Sequence, residues 1–188
     1  DQLGPRTALL SIAAGIPISS LQFQLGGDVS IIRCMPNTPA MIGLGASALF
    51  APDSVEAAHR KLAEQVTNAA GKTVWVTRED LLDAVTAVSG SGPAYFFALI
   101  EAIARTGTEL GLEEEVAMAL TVQTALGAAS LAAQATEPVA TLRENVTSPG
   151  GTTAQALQSL RAHDFDAVVA EAVRQCAARA KALGEEFG

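Results

Sequence analysis

Residues Val116 to Ala135 carry no charge over twenty consecutive positions, and this stretch restricts the fold more than any other. A run of that length reaches a membrane span. Its composition argues against one: it is Ala-rich, holds only three Leu, and is broken by Thr121, Gln123, Thr124, Ser130 and Gln134, which is weak by insertion criteria. A helix apolar on nearly every side is more simply one held between other helices or between subunits. The wider composition agrees, since 49% hydrophobic residues with only 4% aromatic must build a core from Ala, Leu and Val. That suits close-packed helices better than a β-sandwich.

The net charge of −8 and pI near 4.7, without any Lys/Arg run, lack the electrostatic footprint of a nucleic-acid binder. The two cysteines, Cys34 and Cys176, have no metal-like spacing and read as small buried hydrophobes in a reducing cytoplasm, with no disulfide expected. The opening residues DQLGPRTALL lack the basic start and long apolar run of a signal peptide. His59 and His163 lie far apart with no matching Ser or Cys nucleophile, so a triad is not expected. No set of residues has metal-ligand spacing, and none is assigned as a metal site.

The first half alternates short apolar runs with helical spacing. Residues 7–16, TALLSIAAGI, predict a buried strand whose end faces a ligand. Ile18 to Leu25 predicts a short helix and Val29 to Met35 a second strand, halted by the stiff loop Pro36-Asn37-Thr38-Pro39. Ser47 to Ala51 predicts a third strand, Ser54 to Ala70 a helix capped by Asp53 or Ser54, and Thr73 to Thr77 a fourth strand. This alternation means an α/β layer with a parallel or mixed sheet. No G-x-G-x-x-G follows any of these strands, so the usual pyrophosphate cradle is not in them.

After Glu79 only helical patterns remain. Asp80 to Val88 is expected as helix, interrupted by Ser89-Gly90-Ser91-Gly92-Pro93 and resumed from Ala94 to Leu110. Further helices are expected over Glu113 to Gln134, Pro138 to Val146, Thr152 to Ala162, and from Asp164 or Asp166 to Leu183, ended by Gly184. The reading is an α/β Rossmann-type remnant over residues 1–80 followed by an all-α domain over 81–188.

Two loops have chemical potential. Ser148-Pro149-Gly150-Gly151-Thr152-Thr153 sets two glycines ahead of a helix, where open backbone N–H groups and the positive dipole end can hold an anion. Ser89-Gly90-Ser91-Gly92-Pro93 is read as the same device at a second helix start. Taken singly, each is more simply read as a helix-start turn with capping hydroxyls, which is what most Ser/Gly/Pro loops are.

Together the segments LLSIAAGI (9–16), RCMPNTPA (33–40), EDLLDAVTAVSGSGPAYFF (79–97) and ENVTSPGGTTAQAL (144–157) closely resemble the pyrroline-5-carboxylate reductase family, in order and over nearly the whole chain. The resemblance implies a cytoplasmic oxidoreductase that reduces L-1-pyrroline-5-carboxylate to L-proline with NADPH or NADH, the last step of proline biosynthesis. It implies a helical domain that dimerises with a second copy, with a higher homo-oligomer also open, and neither nucleic acid nor membrane as partner. By motif, Thr153 is the catalytic expectation, hydrogen-bonded to the ring nitrogen, and Gly151, Thr152 and Thr153 hold the substrate carboxylate. Glu79 matches a substrate-side position, although its place at a helix N-terminus explains an acid there nearly as well. Ala13 and Ala14 are expected beside the nicotinamide ribose, Met35, Pro36 and Asn37 around the nicotinamide, and Asn145 on the cofactor from across the subunit boundary.

The family pattern opens with a strand and a glycine-rich phosphate loop, which these 188 residues do not contain. Two other readings stay open at this stage: a non-catalytic helical dimerisation fragment, and a related imine or β-hydroxyacid reductase.

Overall fold

The computed structural model describes residues 7–26 and 29–187. The part of the opening stretch read against a signal peptide that falls in residues 1–6 lies outside these described residues. One compact unit holds the residues through Pro93 together with those from Glu171 onward, and a second holds Ala94–Ala170.

The first unit is built on a four-stranded mixed sheet in the order β1-β2-β3-β4. β1 is Ala8–Ser11, β2 Ser30–Met35, β3 Gly45–Phe50 and β4 Gly71–Trp75. β1 runs parallel to β2, β2 antiparallel to β3, and β3 parallel to β4. Helix α1 (Ile18–Leu25) joins the first two strands and α2 (Ala57–Asn68) the last two. Side chains alternate across strands, so Ile32 and Cys34 of β2 face the same way as Leu49 of β3. With Ala51, Val55 and Ala63 they form a core against α2, flanked by Leu10 and Trp75. Ile31, Ile32 and Leu49 are the largest fully buried side chains, each stabilising by roughly 1.5–3 kcal/mol relative to exposure.

Three expectations about this unit are corrected. The cap of α2 is Glu56, and no side chain caps it. Asp53 and Ser54 instead sit in a preceding turn, closed by Val55 N–H on the Pro52 carbonyl and clamped by Arg60, which donates to the carbonyls of Ala51, Pro52 and Val55. The Pro-Asn-Thr-Pro segment does not stay irregular: Thr38–Ile42 forms a 3-10 turn with Pro39 in its first turn, where a missing N–H costs nothing.

Gly184 does not end the final helix either. α8 runs Phe165–Phe187, and Gly184 lies inside it against the β1 strand-end loop. A Cβ on Gly184 would stand 2.9 Å from the Gly15 carbonyl oxygen, and one on Gly15 (φ +76°) 3.1 Å from the Gly184 nitrogen. The glycine serves close backbone approach rather than helix termination.

The sequence from Leu81 is nearly continuous helix: α3 (Leu81–Val85), a π-turn (Thr86–Gly90) and α4 (Gly92–Glu109). α4 does start within the Ser89 to Pro93 segment, at Gly92, but it follows the π-turn directly, and the Ser91 N–H already donates to the Thr86 carbonyl at 2.8 Å, five residues back.

The second unit is helical throughout its regular elements: most of α4, then α5 (Glu114–Gln134), α6 (Val139–Asn145), α7 (Thr152–Ala162) and the beginning of α8. α4 and α5 meet closely where Gly107 faces Ala117; a Cβ on Gly107 would be 3.2 Å from that of Ala117. On α5 only Ala117 and Thr121 are buried. Thr121, Thr124 and Ser130 turn their hydroxyls back to carbonyls four residues earlier, which leaves the helix exterior apolar. Phe96 and Phe97 of α4 are 64% and 60% exposed, and Leu120, Leu126 and Leu131 of α5 are exposed as well. Leu81–Glu109 and Glu114–Gln134 are both long and apolar enough, by length and composition, to cross a membrane.

Candidate active site

Expected site residues divide between the two units. Ala13, Ala14, Met35, Pro36, Asn37 and Glu79 belong to the first, and Asn145, Gly151, Thr152 and Thr153 to the second.

In the first unit the C-terminal ends of the parallel strands β1 and β2 lie side by side, with Ser11 opposite Arg33. Beyond β1, Ala13 is half-buried and Ala14 exposed, and the Ala13 N–H leans on the Ser11 hydroxyl at 3.4 Å. Small side chains at a strand end leave room for a flat ring, which fits the nicotinamide half of a dinucleotide. Beyond β2, Met35, Pro36 and Asn37 are all half-buried. The Asn37 side chain accepts from the Ala46 N–H at 2.8 Å and donates to the Ser89 carbonyl at 3.0 Å.

Glu79 occupies a bracket. Its Oε1 accepts from the Ile18 N–H at 2.8 Å and from Arg33 Nη1 at 3.0 Å, so one carboxylate ties the first turn of α1 to the middle of the sheet. The Arg33 side chain is only 9% exposed and that of Glu79 29%. Asp83, one turn into the following helix, is held above the usual carboxylate range by burial, an effect that the nearby Arg33 charge opposes. The sequence reading missed Arg33, because a lone arginine in an apolar strand reveals its partner only when the chain folds.

In the second unit the loop ahead of α7 is a tight turn. Gly151 N–H donates to the Ser148 carbonyl at 3.0 Å, with Pro149 and then Gly150 (φ +70°) between them. Proline followed by a residue of positive φ is the type II pattern, which needs glycine at the second central place. Gly151 then serves as N-cap of α7 without any side-chain cap. A Cβ there would collide with the Ser148 hydroxyl, so the helix start is left bare.

The first intrahelical bond at this end is Gln155 N–H to the Gly151 carbonyl at 3.2 Å. The N–H groups of Thr152, Thr153 and Ala154 precede it and point out of the helix end, where its dipole is positive. Of the residues expected around the substrate carboxylate, Gly151 has its N–H engaged in the turn, and the N–H groups open at this helix start are those of Thr152, Thr153 and Ala154. Thr153 is half-buried. Asn145 is the last residue of α6 and is exposed.

His163, the residue after α7, is exposed, and its Nδ1 lies 2.8 Å from the Ser159 carbonyl of that helix. Among the described residues no group of His, Cys, Asp and Glu could hold a metal ion.

Comparison with known proteins bears on both units. Residues 79–183 match the family model described as pyrroline-5-carboxylate reductase dimerisation. The chain is 48% identical over 186 residues to the pyrroline-5-carboxylate reductase of Pseudomonas aeruginosa, covering 99% of this chain and 68% of that protein. Among solved structures, a pyrroline-5-carboxylate reductase from Coxiella burnetii is similar with a TM-score of 0.91 and 40% identity, over 95% of this chain and 67% of that one. The Plasmodium falciparum pyrroline carboxylate reductase, solved with NADP bound, is similar with a TM-score of 0.87 and 33% identity, over 95% of this chain and 71% of that one. The sheet that ends in small residues, the bare helix start and the helical pair with exposed apolar faces are thus features of a chain that belongs to the pyrroline-5-carboxylate reductase family of oxidoreductases.

Proposed function

We propose that the protein carrying this chain reduces L-1-pyrroline-5-carboxylate to L-proline with NADPH or NADH, in the cytoplasm, as the last step of proline biosynthesis. The observation that carries the reading is the bare N-terminus of α7, where a glycine cap with no side-chain bond leaves three first-turn N–H groups to a ligand carboxylate. Charge-assisted bonds to such N–H groups orient an anion as well as bind it.

When bound, the nicotinamide cofactor supplies the hydride that joins the imine carbon, while the C=N electron pair moves to nitrogen and a proton completes the amine. Ala13 and Ala14 admit the nicotinamide ribose, and Met35 and Pro36 wall the ring. Thr153 carries the catalytic role: its hydroxyl both donates and accepts, so it can follow the ring nitrogen from protonated imine to amine. The reaction asks mainly for geometry. Glu79 serves the substrate side by holding α1 and Arg33 in place, and Asn145 reaches the cofactor from across a subunit boundary.

That boundary is a homodimer through the helical region, with residues 81–188 as the dimerising domain and 1–80 as the dinucleotide-binding part. The uncharged run of α5 from Val116 onward and the exposed phenylalanines of α4 give the second copy its apolar surface. A partner subunit accounts for them better than a lipid phase, because the dimerisation family match covers all of α5 and all of the helical stretch Leu81–Glu109.

Replacement of Thr153 tests the site. Thr153→Ala in the full-length enzyme is expected to lower kcat tenfold or more, the size of one lost charge-assisted hydrogen bond, and Thr153→Ser to restore most of it. An unchanged kcat in Thr153→Ala removes Thr153 from the mechanism.

A further inference from the structure

Asn37 stands where the antiparallel pairing of β2 and β3 would continue. The register joins Arg33 to Phe50, Cys34 to Leu49 and Met35 to Ala48, so the next pairs in line are Pro36 with Ser47 and Asn37 with Ala46. Pro36 has no N–H to give to a ladder, so backbone pairing does not continue in its regular form past Met35. The Asn37 side-chain carbonyl serves instead as the acceptor for the Ala46 N–H, at 2.8 Å.

The other end of the same amide meets a defect in the helix. Pro93 lies four residues after Ser89 and has no N–H with which to satisfy the Ser89 carbonyl in α-helical fashion. The Asn37 amide donates to that carbonyl at 3.0 Å, and the chain makes its π-turn there, closed by Ser91 N–H on the Thr86 carbonyl at 2.8 Å. The π-turn is held from two further sides. Met35 Cε lies where a Cβ on Gly90 would be only 2.6 Å away, and Cys176 of α8 donates to the Ser91 hydroxyl at 3.2 Å.

We propose that Asn37 is a positioning residue: both ends of its amide are committed to protein, and it bolts the Met35-Pro36-Asn37 strand end to the π-turn so that the depth of the nicotinamide pocket is set by the helix. This rests on the assignment of that loop to the cofactor. Asn37 then contributes no direct bond to the nicotinamide. π-turns recur at functional sites; here the turn supplies the carbonyl that the cofactor loop needs.

The test uses the full-length enzyme and two cofactors, NADPH and its reduced 3-acetylpyridine analogue, which lacks the carboxamide nitrogen. Asn37→Asp, which loses the bond to Ser89, is expected to lower kcat by about tenfold, and Asn37→Ala, which also loses the bond from Ala46, by at least as much; each factor is expected to be the same with either cofactor. A factor that differs between the cofactors means that Asn37 touches the carboxamide directly, and overturns the proposal.

The pair Asn37→Ala with Pro93→Ala separates position from stability. The second substitution supplies an N–H for the Ser89 carbonyl but leaves the Ala46 N–H unpaired, so about half of the melting temperature lost in Asn37→Ala is expected to recover while kcat stays low. Recovery of kcat together with stability reduces Asn37 to a structural residue. Wild-type enzyme that consumes no NADPH with pyrroline-5-carboxylate fails the parent reading, and the proposal falls with it.

Discussion

Glu79 offers a test whose size follows from the structure. In Glu79→Ala the Ile18 N–H and the Arg33 guanidinium lose the oxygen they share. Removing one partner of a fully buried ion pair costs about 3–5 kcal/mol. Glu79 is 29% exposed, so water reaches the vacancy, and Asp83 already feels the Arg33 charge. The expected loss is therefore about 2–3 kcal/mol.

Glu79→Gln keeps a carbonyl oxygen for both donors and loses only the charge, for about 1 kcal/mol. In a protein of this size, each kcal/mol shifts the melting temperature by about 2–4 °C. Calorimetry at fixed protein concentration, which a dimer requires, should find the alanine variant about 5–10 °C less stable and the glutamine variant well under half of that. Equal losses for the two, or none for alanine, refute the bracket. The KM for the imine should change by less than about threefold in Glu79→Gln; a larger change with an unaltered melting temperature assigns Glu79 to the substrate directly.

Two further outcomes follow from packing. Gly184→Ala drives a Cβ to 2.9 Å from the Gly15 carbonyl, and should cost about 1–3 kcal/mol, read by urea denaturation. Burial pushes the Cys34 thiol above its ordinary range, although a hydrogen bond with Ser47 opposes this. The unfolded chain therefore ionises this thiol first, and its contribution to stability falls as pH rises above the ordinary thiol value. Near pH 8 a thiol reagent should modify Cys176 well before Cys34, and mass spectrometry of the labelled peptides reads the order.

The helices α1 and α7 are legible at their full lengths because local signals set both ends: Pro17 and Gly26 flank one, and Gly151 with its turn precedes the other. Misreadings occur where partners are distant in sequence. Gly184 resembles a helix stop until Gly15 is found against it. The Ser-Gly-Ser-Gly-Pro segment is legible as the start of α4, but the π-turn that leads into it is not, because Asn37 and Met35, which meet that turn, lie some fifty residues earlier. Asp53 is a plausible cap until Arg60 gathers the carbonyls before α2. The Ser148 to Thr153 loop needs no such partner, since proline and glycine set its turn locally.

The reductase assignment meets its most direct test in the stoichiometry of the full-length protein with L-1-pyrroline-5-carboxylate. NADPH should be consumed only when the imine is present, with one proline formed for each NADPH oxidised. Consumption without the imine, or none in its presence, contradicts the assignment.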